Sequence, residues 1–191
     1  MANEPTQAGA VRHDGQDERP DEALMQAAAR GDKESFVHLV HRFQNPLLNF
    51  FRRLGVYTDA EDLVQDTFIR LFRYRKRYRP SARFKTFLYL VARQVRIDYL
   101  RKADRKRRLS DTLRRQREVE QSAVGSVERR AGEAADALAR LPDRMKEVVV
   151  LSIYQGLKYR EIGKILRIPE GTVKSRMFNA LRRLREIMDE Q

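Results

Sequence analysis

Residues 159–189 read "YREIGKILRIPEGTVKSRMFNALRRLREIMD", and this stretch contains two amphipathic segments with a short turn between them. Apolar residues recur at helical spacing on both sides of Ile168-Pro169, where proline cannot continue the first helix. The pattern predicts a short helix over Tyr159–Leu166 and a long one over Glu170–Asp189. Two helices joined by a tight turn, the second rich in cations, are typical of a helix-turn-helix.

The long helix has an apolar face for packing and a polar face with short hydroxyls and long cations near its start. Such an N-terminus suits a major groove, because hydroxyls and backbone N–H groups can hold phosphates there. A merely solvated cationic helix is the alternative, but the preceding turn and Gly163, which permits close helix approach, favour DNA binding. The predicted packing stripe is Val173, Met177, Ala180, Leu181, Leu184, Ile187 and Met188; the candidate DNA contacts are Thr172, Lys174, Ser175, Arg176, Asn179 and Arg183.

Helical periodicity extends over nearly the whole chain, and no stretch alternates with a period of two, so the sequence predicts an all-α protein. One more helix of the C-terminal half should start at Pro142, carry the apolar residues Val148, Val149, Leu151 and Ile153 for packing, and end at Gly156. The pattern of the N-terminal half predicts four helices. The first runs from Asp21 to about Gly31, and the second starts near Asp32 and is kinked or broken at Pro46. The third runs from its N-cap Thr58 to about Tyr74, and the fourth from about Phe84 to Lys102.

Composition divides the chain into two small helical domains. Residues 1–20 are polar and rich in Pro and Gly, which predicts a disordered tail. Residues 21–103 would form the first domain and residues 134–191 the second. Residues 104–133 contain almost no large apolar side chain, which predicts a linker that is flexible or transiently helical.

The predicted third helix carries an acidic surface, within "DAEDLVQDTFIRLFR" at residues 59–73. The helix dipole accounts for acidic residues in the first turn, but Asp66 lies beyond its reach. An exposed Ile69 among carboxylates is typical of a protein interface, and DNA would repel this face. A carboxylate metal site is the alternative, but it lacks a histidine or an opposing glutamate. The candidate protein contacts are Asp62, Gln65, Asp66 and Ile69.

The segment that follows interleaves aromatic residues with arginine and lysine, in "RYRKRYRPSARFKTFLYLVARQVRIDYLRK" at residues 73–102. Such interleaving suits single-stranded nucleic acid, because bases stack on rings while cations follow the phosphates. Arg93, Arg96 and Arg101 are expected away from the apolar stripe, as nucleic-acid contacts. Asp98 falls within that stripe and should pair with a cation, because an unpaired buried charge is costly.

Bulk composition narrows the possible partners. The chain has 40 Lys and Arg against 27 Asp and Glu, a net charge of +13, which favours nucleic acid first and a membrane surface second. No signal peptide or membrane-spanning run is apparent, so the sequence predicts a cytoplasmic protein without membrane insertion. There is no cysteine, and His38 and His41 lack a third ligand, so no metal or cofactor is expected.

Three stretches in this order resemble the sigma-70 family of bacterial transcription initiation factors, specifically its small extracytoplasmic-function (ECF) group. "DAEDLVQDTFIRLF" is similar to the segment that docks on the clamp helices of the RNA polymerase largest subunit. "FKTFLYLVARQVRIDYLRK" resembles the segment that melts and reads the minus-ten element, and "GLKYREIGKILRIPEGTVKSRMFNALRRLR" resembles the part that binds the minus-thirty-five element. The likeness covers roughly residues 21–189.

The resemblance implies a non-enzymatic specificity subunit that binds core polymerase, through the clamp helices and the flap, and promoter DNA, and that is held inactive by an anti-sigma factor. It assigns the acidic surface to polymerase and the helix-turn-helix to the minus-thirty-five element. Phe87 and Gln94 stand where the family usually has Trp and Asn. The implied minus-ten contacts are Arg75, Lys76, Arg77, Tyr78, Lys85, Arg93, Gln94, Arg96 and Arg101.

Two other functions fit parts of the pattern. A stand-alone helix-turn-helix regulator would use its first domain for sensing or dimerisation, and would bind promoters tightly without polymerase. A DNA-processing enzyme such as a recombinase needs a nucleophile among arginines, and Tyr99, near Arg96 and Arg101, is the only plausible one.

Overall fold

The computed structural model describes residues 18–80, 83–114 and 133–189, and all regular structure in these ranges is helical. The expected all-α fold is confirmed. Part of the predicted N-terminal tail, residues 1–17, and part of the predicted linker, residues 115–132, lie outside the described residues. The α-helices are α1 (Asp21–Ala29), α2 (Lys33–Arg53), α3 (Ala60–Tyr74), α4 (Phe84–Arg114), α5 (Glu133–Ala139), α6 (Asp143–Val149), α7 (Tyr159–Leu166) and α8 (Glu170–Asp189).

Helix α2 is continuous through Pro46, so the predicted break is wrong. Proline removes one N–H from the helix, and the carbonyl four residues earlier loses its partner. Apolar residues in the turns after the proline, Leu47, Phe50 and Phe51, are almost fully buried. Their burial offsets the lost hydrogen bond and keeps the second half of the helix in line with the core.

Helix α3 begins at Ala60 after Asp59, and not after Thr58 as expected. Asp59 occupies the N-cap position without a side-chain cap bond. Its carboxylate instead accepts the hydroxyl of Tyr99 on α4 at 2.7 Å. The N-terminus of α3 is therefore attached to the middle of α4.

Helix α4 starts at Phe84, whose N–H donates to the carboxylate of Glu22 on α1 at 2.8 Å. It does not end near Lys102 but continues to Arg114, so the first part of the predicted linker is helical. Neither glycine nor proline occurs between these ends, and Leu, Arg and Lys are good helix formers. The low hydrophobicity of the residues after Lys102 marks the end of the helix face that packs on the core, whereas the helix itself continues.

Helices α1 to α4 surround one core that is rich in aromatic rings. Phe50 and Tyr89 lie 5.1 Å apart between ring centroids, and Phe43 and Phe84 lie 5.5 Å apart. Tyr89 is fully buried, which places one polar hydroxyl deep inside. These rings fix α4 against α2, and so position every candidate contact residue on α4.

The second domain contains α5, which the sequence analysis did not predict, and a π-helical turn over Val150–Tyr154 that continues α6. The π turn changes the angular spacing of side chains. Ile153, expected to point inward, is therefore 57% exposed. Gly156 then ends the segment with a φ of 64°, as the sequence predicts.

The helix-turn-helix depends on a close approach at Gly163 in α7. A Cβ atom on this glycine would lie 2.9 Å from the carbonyl oxygen of Ile168, so no side chain fits without a backbone shift. Arg167 ends α7 in the left-handed region, with φ 56°, and the N–H of Ile168 donates to the Gly163 carbonyl at 3.0 Å. Helices α7 and α8 have the predicted bounds.

The two halves of the chain contact each other through α4 and α7. The hydroxyl of Tyr89 donates to Gln155 in a buried hydrogen bond. The hydroxyl of Thr86 donates to Oε1 of Glu161 at 3.1 Å, while Oε2 of the same carboxylate accepts the N–H of Lys158 at 2.8 Å and stabilises the start of α7. The helix-turn-helix is thereby fixed against the first domain.

Candidate functional site

A groove between α2 and α3 combines an aromatic floor with an acidic rim. Phe36 packs edge-on against Phe68 and Phe72, with centroid distances of 6.3 and 5.1 Å. The groove is lined by Phe36, Val40, Gln44, Glu61, Asp62, Val64, Gln65, Phe68, Ile69, Phe72 and Arg73. An apolar floor bordered by carboxylates is suited to an amphipathic helix that carries cations.

The four predicted protein contacts on α3 lie on one exposed face. Asp62, Gln65 and Asp66 are exposed, and Ile69 is 41% exposed despite being apolar. Among the described residues, neither aspartate forms an ion pair, whereas Glu61 lies 3.9 Å from Arg52. Asp62, Gln65 and Ile69 line the groove, and Asp66 lies beside it. This face is therefore open to a partner.

The loop after α3 begins with a 3₁₀ turn over Arg75–Arg77. The guanidinium of Arg75 lies 3.7 Å from the Phe72 ring centroid and donates to its carbonyl at 2.7 Å, so this cation is partly engaged. Lys76 and Arg77 are exposed, and Lys85 at the start of α4 is half-buried. With Arg79, which is also exposed, this loop presents three open cations in its described part. Its residues 81 and 82 lie outside the described residues.

Tyr78, expected on this loop as a DNA contact, is instead buried, with 8% of its surface exposed. Its ring packs against Phe84 and Phe87 with centroid distances of 6.3 and 5.5 Å. Within the described part of the chain its hydroxyl has no hydrogen-bond partner. In this arrangement Tyr78 is a core residue and not a surface for stacking a base.

The candidate contacts on α4 have two different environments. Gln94 and Arg101 are exposed, and the Gln94 amide donates to Asp98 at 3.0 Å. Asp98 also accepts from Arg70 on α3 at 2.7 Å, which confirms the expected pairing with a cation. The hydrogen bond from Arg70 and then that from Gln94 hold the pKa of Asp98 below its usual value, against the opposing effect of burial.

Arg96 is buried, with 5% of its surface exposed, although the sequence analysis placed it on the open face of α4. Its guanidinium donates to the Leu54 carbonyl and to Glu147 on α6, both at 3.2 Å. Arg93 is half-buried beside it, with its Nε 3.7 Å from the other oxygen of Glu147. Two predicted DNA contacts are therefore occupied by a carboxylate of the second domain.

Five of the six candidate contacts on α8, all but Lys174, share one side of the helix by their spacing. Lys174, Ser175 and Arg183 are exposed, whereas the other three, Thr172, Arg176 and Asn179, are half-buried. Intrahelical ion pairs are present, from Lys174 to Glu170 at 3.3 Å and from Arg183 to Glu186 at 2.9 Å. Both pairs are solvent-exposed and weak, so these cations remain available to phosphates.

An apolar stripe on α8 is open to solvent. Phe178 is 68% exposed, Leu181 49% and Met188 51%. Leu181 and Met188 were predicted to pack inward, and Phe178 was not singled out. Their spacing places all three on one side of the helix, beside the buried stripe of Val173, Met177, Ala180 and Ile187.

Comparisons with known proteins show the family to which the chain belongs. Residues 39–106 match the Sigma-70 region 2 family, and residues 137–186 match the Sigma-70, region 4 family. The ECF RNA polymerase sigma-E factor of Haemophilus influenzae is 31% identical over 173 residues, covering 84% of this chain and 90% of that protein. The chain belongs to the ECF group of the sigma-70 family.

Other relatives of this sigma factor show the same extent of likeness. The ECF RNA polymerase sigma factor SigW of Bacillus subtilis is 29% identical, covering 82% of this chain and 90% of that protein. The solved structure of CnrH in complex with the cytosolic domain of CnrY is 25% identical, with a TM-score of 0.67, and covers 90% of this chain and 98% of that one. The sigma factor RpoE of Bartonella quintana, in complex with the anti-sigma factor NepR, is 24% identical with a TM-score of 0.68, covering 82% and 98%, and shares the fold.

Tyr99, the candidate nucleophile of the recombinase alternative, is bonded to Asp59 in this sigma factor and lacks the expected arginine partner. Its hydroxyl donates to Asp59, and this hydrogen bond, with burial and the nearby carboxylate charge, raises the pKa of Tyr99. Arg96, expected near it, is bound to Glu147.

Two kinds of feature are absent from residues 18–80, 83–114 and 133–189 of the sigma factor. No cluster of three or more potential metal-ligating side chains occurs there. In the same ranges, no helix has the length and apolar character needed to cross a membrane.

The role of Glu147 in the sigma factor was not predictable from the chain. It lies 51 positions after its partner Arg96, and no local pattern links the two. Glu147 is one of two acidic residues in α6, with Asp143, and their spacing is not distinctive. The exposed stripe on α8 also escaped prediction, because Phe178 was not placed on any face.

Proposed function

We propose that this protein directs promoter-specific initiation by binding core RNA polymerase through the groove between α2 and α3. The observation that carries the proposal is the open acidic and aromatic face of α3. The exposed carboxylates of Asp62 and Asp66 would attract a cationic helix, and Ile69 and the aromatic floor would bury its apolar side. In the sigma-70 family, the segment that this one resembles docks on the clamp helices of the RNA polymerase largest subunit.

Promoter recognition is divided between the two domains in this proposal. The outer face of α8 would read the minus-thirty-five element in the major groove, with Lys174 and Arg183 on phosphates. The loop cations Lys76 and Arg77, with Gln94, Arg93, Arg96 and Arg101 on α4, would bind the opened minus-ten strand. Capture of unstacked bases can offset the few kcal/mol needed to unpair them, so no catalytic step is required.

Two further partners belong to the proposal. The exposed stripe Phe178, Leu181 and Met188 would accept an apolar segment of the polymerase flap. An anti-sigma factor would cover the polymerase-facing surfaces. The complexes of CnrH with CnrY and of RpoE with NepR support this type of partner.

Charge reversal tests the polymerase interface. In Asp62→Lys with Asp66→Lys, the rim repels a cationic partner, and we expect at least a tenfold loss of affinity for core polymerase in 0.15 M salt, because two charge-assisted contacts are lost. Run-off transcription that depends on this protein should fall in parallel.

Asp136→Lys with Asp189→Lys is the matched control, since it adds the same charge at two exposed aspartates outside the groove. The control should bind core polymerase as the wild type does. Unchanged binding by the rim variant, with a normal circular dichroism spectrum, would contradict the proposal. Tight promoter-specific binding without core polymerase would favour the stand-alone regulator instead.

A further inference from the structure

One face of α4 is covered by the second domain of the same chain. Helix α7 packs on α4, where Thr86 donates to Glu161 at 3.1 Å, and the buried hydroxyl of Tyr89 donates to Gln155. Arg53 on α2 also lies over the ring of Tyr154, 4.0 Å from its centroid. The contact therefore extends over two helices of the first domain.

The charged part of this contact is centred on Glu147, whose side chain is 13% exposed. One of its oxygens accepts from Arg96 at 3.2 Å, and the other lies 3.7 Å from Arg93. Asp143 adds a second carboxylate 3.6 Å from Arg96. Glu147 therefore bridges the two guanidinium groups, which would otherwise be partly desolvated without a counter-charge.

A nucleic-acid phosphate and Glu147 cannot occupy the same guanidinium groups at once. The carboxylate also places a negative charge where a phosphate would have to approach, so the two exclude each other by geometry and by charge. The Nε atoms of both arginines have no hydrogen-bond partner within the described residues. Glu147 thus satisfies the charge of the pair without using all of its donors.

We infer that the second domain masks α4 in the free protein, with Glu147 acting as a latch that takes the place of a phosphate on Arg93 and Arg96. The masked state needs no other protein. Binding of the opened strand then requires the second domain to leave α4, so the latch weakens DNA binding until the domains separate. The masking of DNA contacts rests on the proposed function, but the closed arrangement itself does not.

The absence of cysteine from the chain allows a direct test on the full-length protein. Thr58→Cys and Lys164→Cys introduce two exposed labelling positions, one before α3 and one on α7. Fluorescence energy transfer between the labels should report one short distance for the free wild type. In Glu147→Gln, which keeps the side-chain shape, we expect the ratio of open to closed molecules to rise about tenfold.

Asp98→Asn is the matched control, because it also removes one carboxylate that binds an arginine on the first domain, but its partner Arg70 lies within that domain. It should leave the label distance unchanged. Tyr89→Phe removes a different bond across the same contact and should open the molecule even if Glu147→Gln folds poorly. A wild type that is already open, or no opening in either variant, would overturn the inference.

DNA binding supplies a second readout. Glu147→Gln should bind a single-stranded oligonucleotide with about tenfold higher affinity than Asp136→Asn, which has the same net charge and changes an exposed carboxylate on α5. Opening without this gain would overturn the masking of DNA contacts. Failure of the proposed function would be seen in a different experiment. It would appear as normal binding to core polymerase by the variant Asp62→Lys with Asp66→Lys, which is measured without the fluorescent labels.

Discussion

Tyr78 shows how a residue in a polar loop can belong to the core. Arginines and lysines surround it in sequence, yet its ring packs between Phe84 and Phe87. Burial, together with the nearby carboxylates of Glu22 and Asp21, raises the pKa of its hydroxyl to about 12. The neutral form is therefore strongly preferred in the folded state.

We expect Tyr78→Phe to keep the free energy of unfolding at pH 7, or to raise it by up to about 1 kcal/mol, because it removes a buried hydroxyl without a partner. The folded pKa lies above the usual value of 10, so the neutral group stabilises the fold below pH 10 and this stability is lost as pH rises towards 12. The wild type should therefore weaken relative to the variant between pH 10 and 12. Urea unfolding at pH 7 and pH 11 measures both effects, and a loss above 1 kcal/mol at pH 7 would show that the hydroxyl has a partner.

At the scale of the element, local signals decided which boundaries could be predicted. Gly156 fixed the end of the segment after α6, and Pro169 the start of α8, because a left-handed glycine and a proline each act on the backbone directly. The end of α4 could not be predicted from polarity, since polar residues with good helix propensity extend a helix beyond the core it packs on. The π turn after α6 has no sequence signature at all, and it reversed the expected burial of Ile153.

Gly163→Ala should destabilise the helix-turn-helix by about 1–3 kcal/mol, because its Cβ would lie 2.9 Å from the Ile168 carbonyl and the turn must shift. Duplex binding by α8 should weaken with it. Gly171→Ala is the matched control, since nothing lies within 4 Å of its Cβ and alanine is the better helix former. Thermal unfolding compares the two, and equal stability would show that the approach of α7 to α8 is not tight.

At the scale of the whole molecule, the contact between the domains could not be predicted from the sequence. The acidic face of α3 was predictable because its residues are neighbours on one helix. Arg96 and Glu147 are neighbours only in the folded chain, and each alone resembles an ordinary surface charge. The expected open face of α4 was therefore wrong for Arg96, which is buried at this contact.

Tyr89→Phe should lower the free energy of unfolding by about 1–3 kcal/mol, because Gln155 loses its partner in a buried site. Calorimetry should also show the unfolding of the two domains beginning to separate. Tyr99→Phe is the control, since its half-buried hydroxyl bonds to Asp59 within the first domain. It should cost less and leave the unfolding cooperative. A larger cost for Tyr99→Phe would mean that the contact between the domains adds little stability.

Glu161 connects the start of α7 with the first domain, since one oxygen accepts the N–H of Lys158 and the other the hydroxyl of Thr86. This one residue is therefore under selection for two properties, the order of a helix start and the relative position of two domains. Position 161 should therefore change more slowly in evolution than the exposed neighbours Arg160 and Lys164. In a duplicated gene whose product has lost the contact between the domains, the start of the helix alone would still require an acidic or amide side chain at this position.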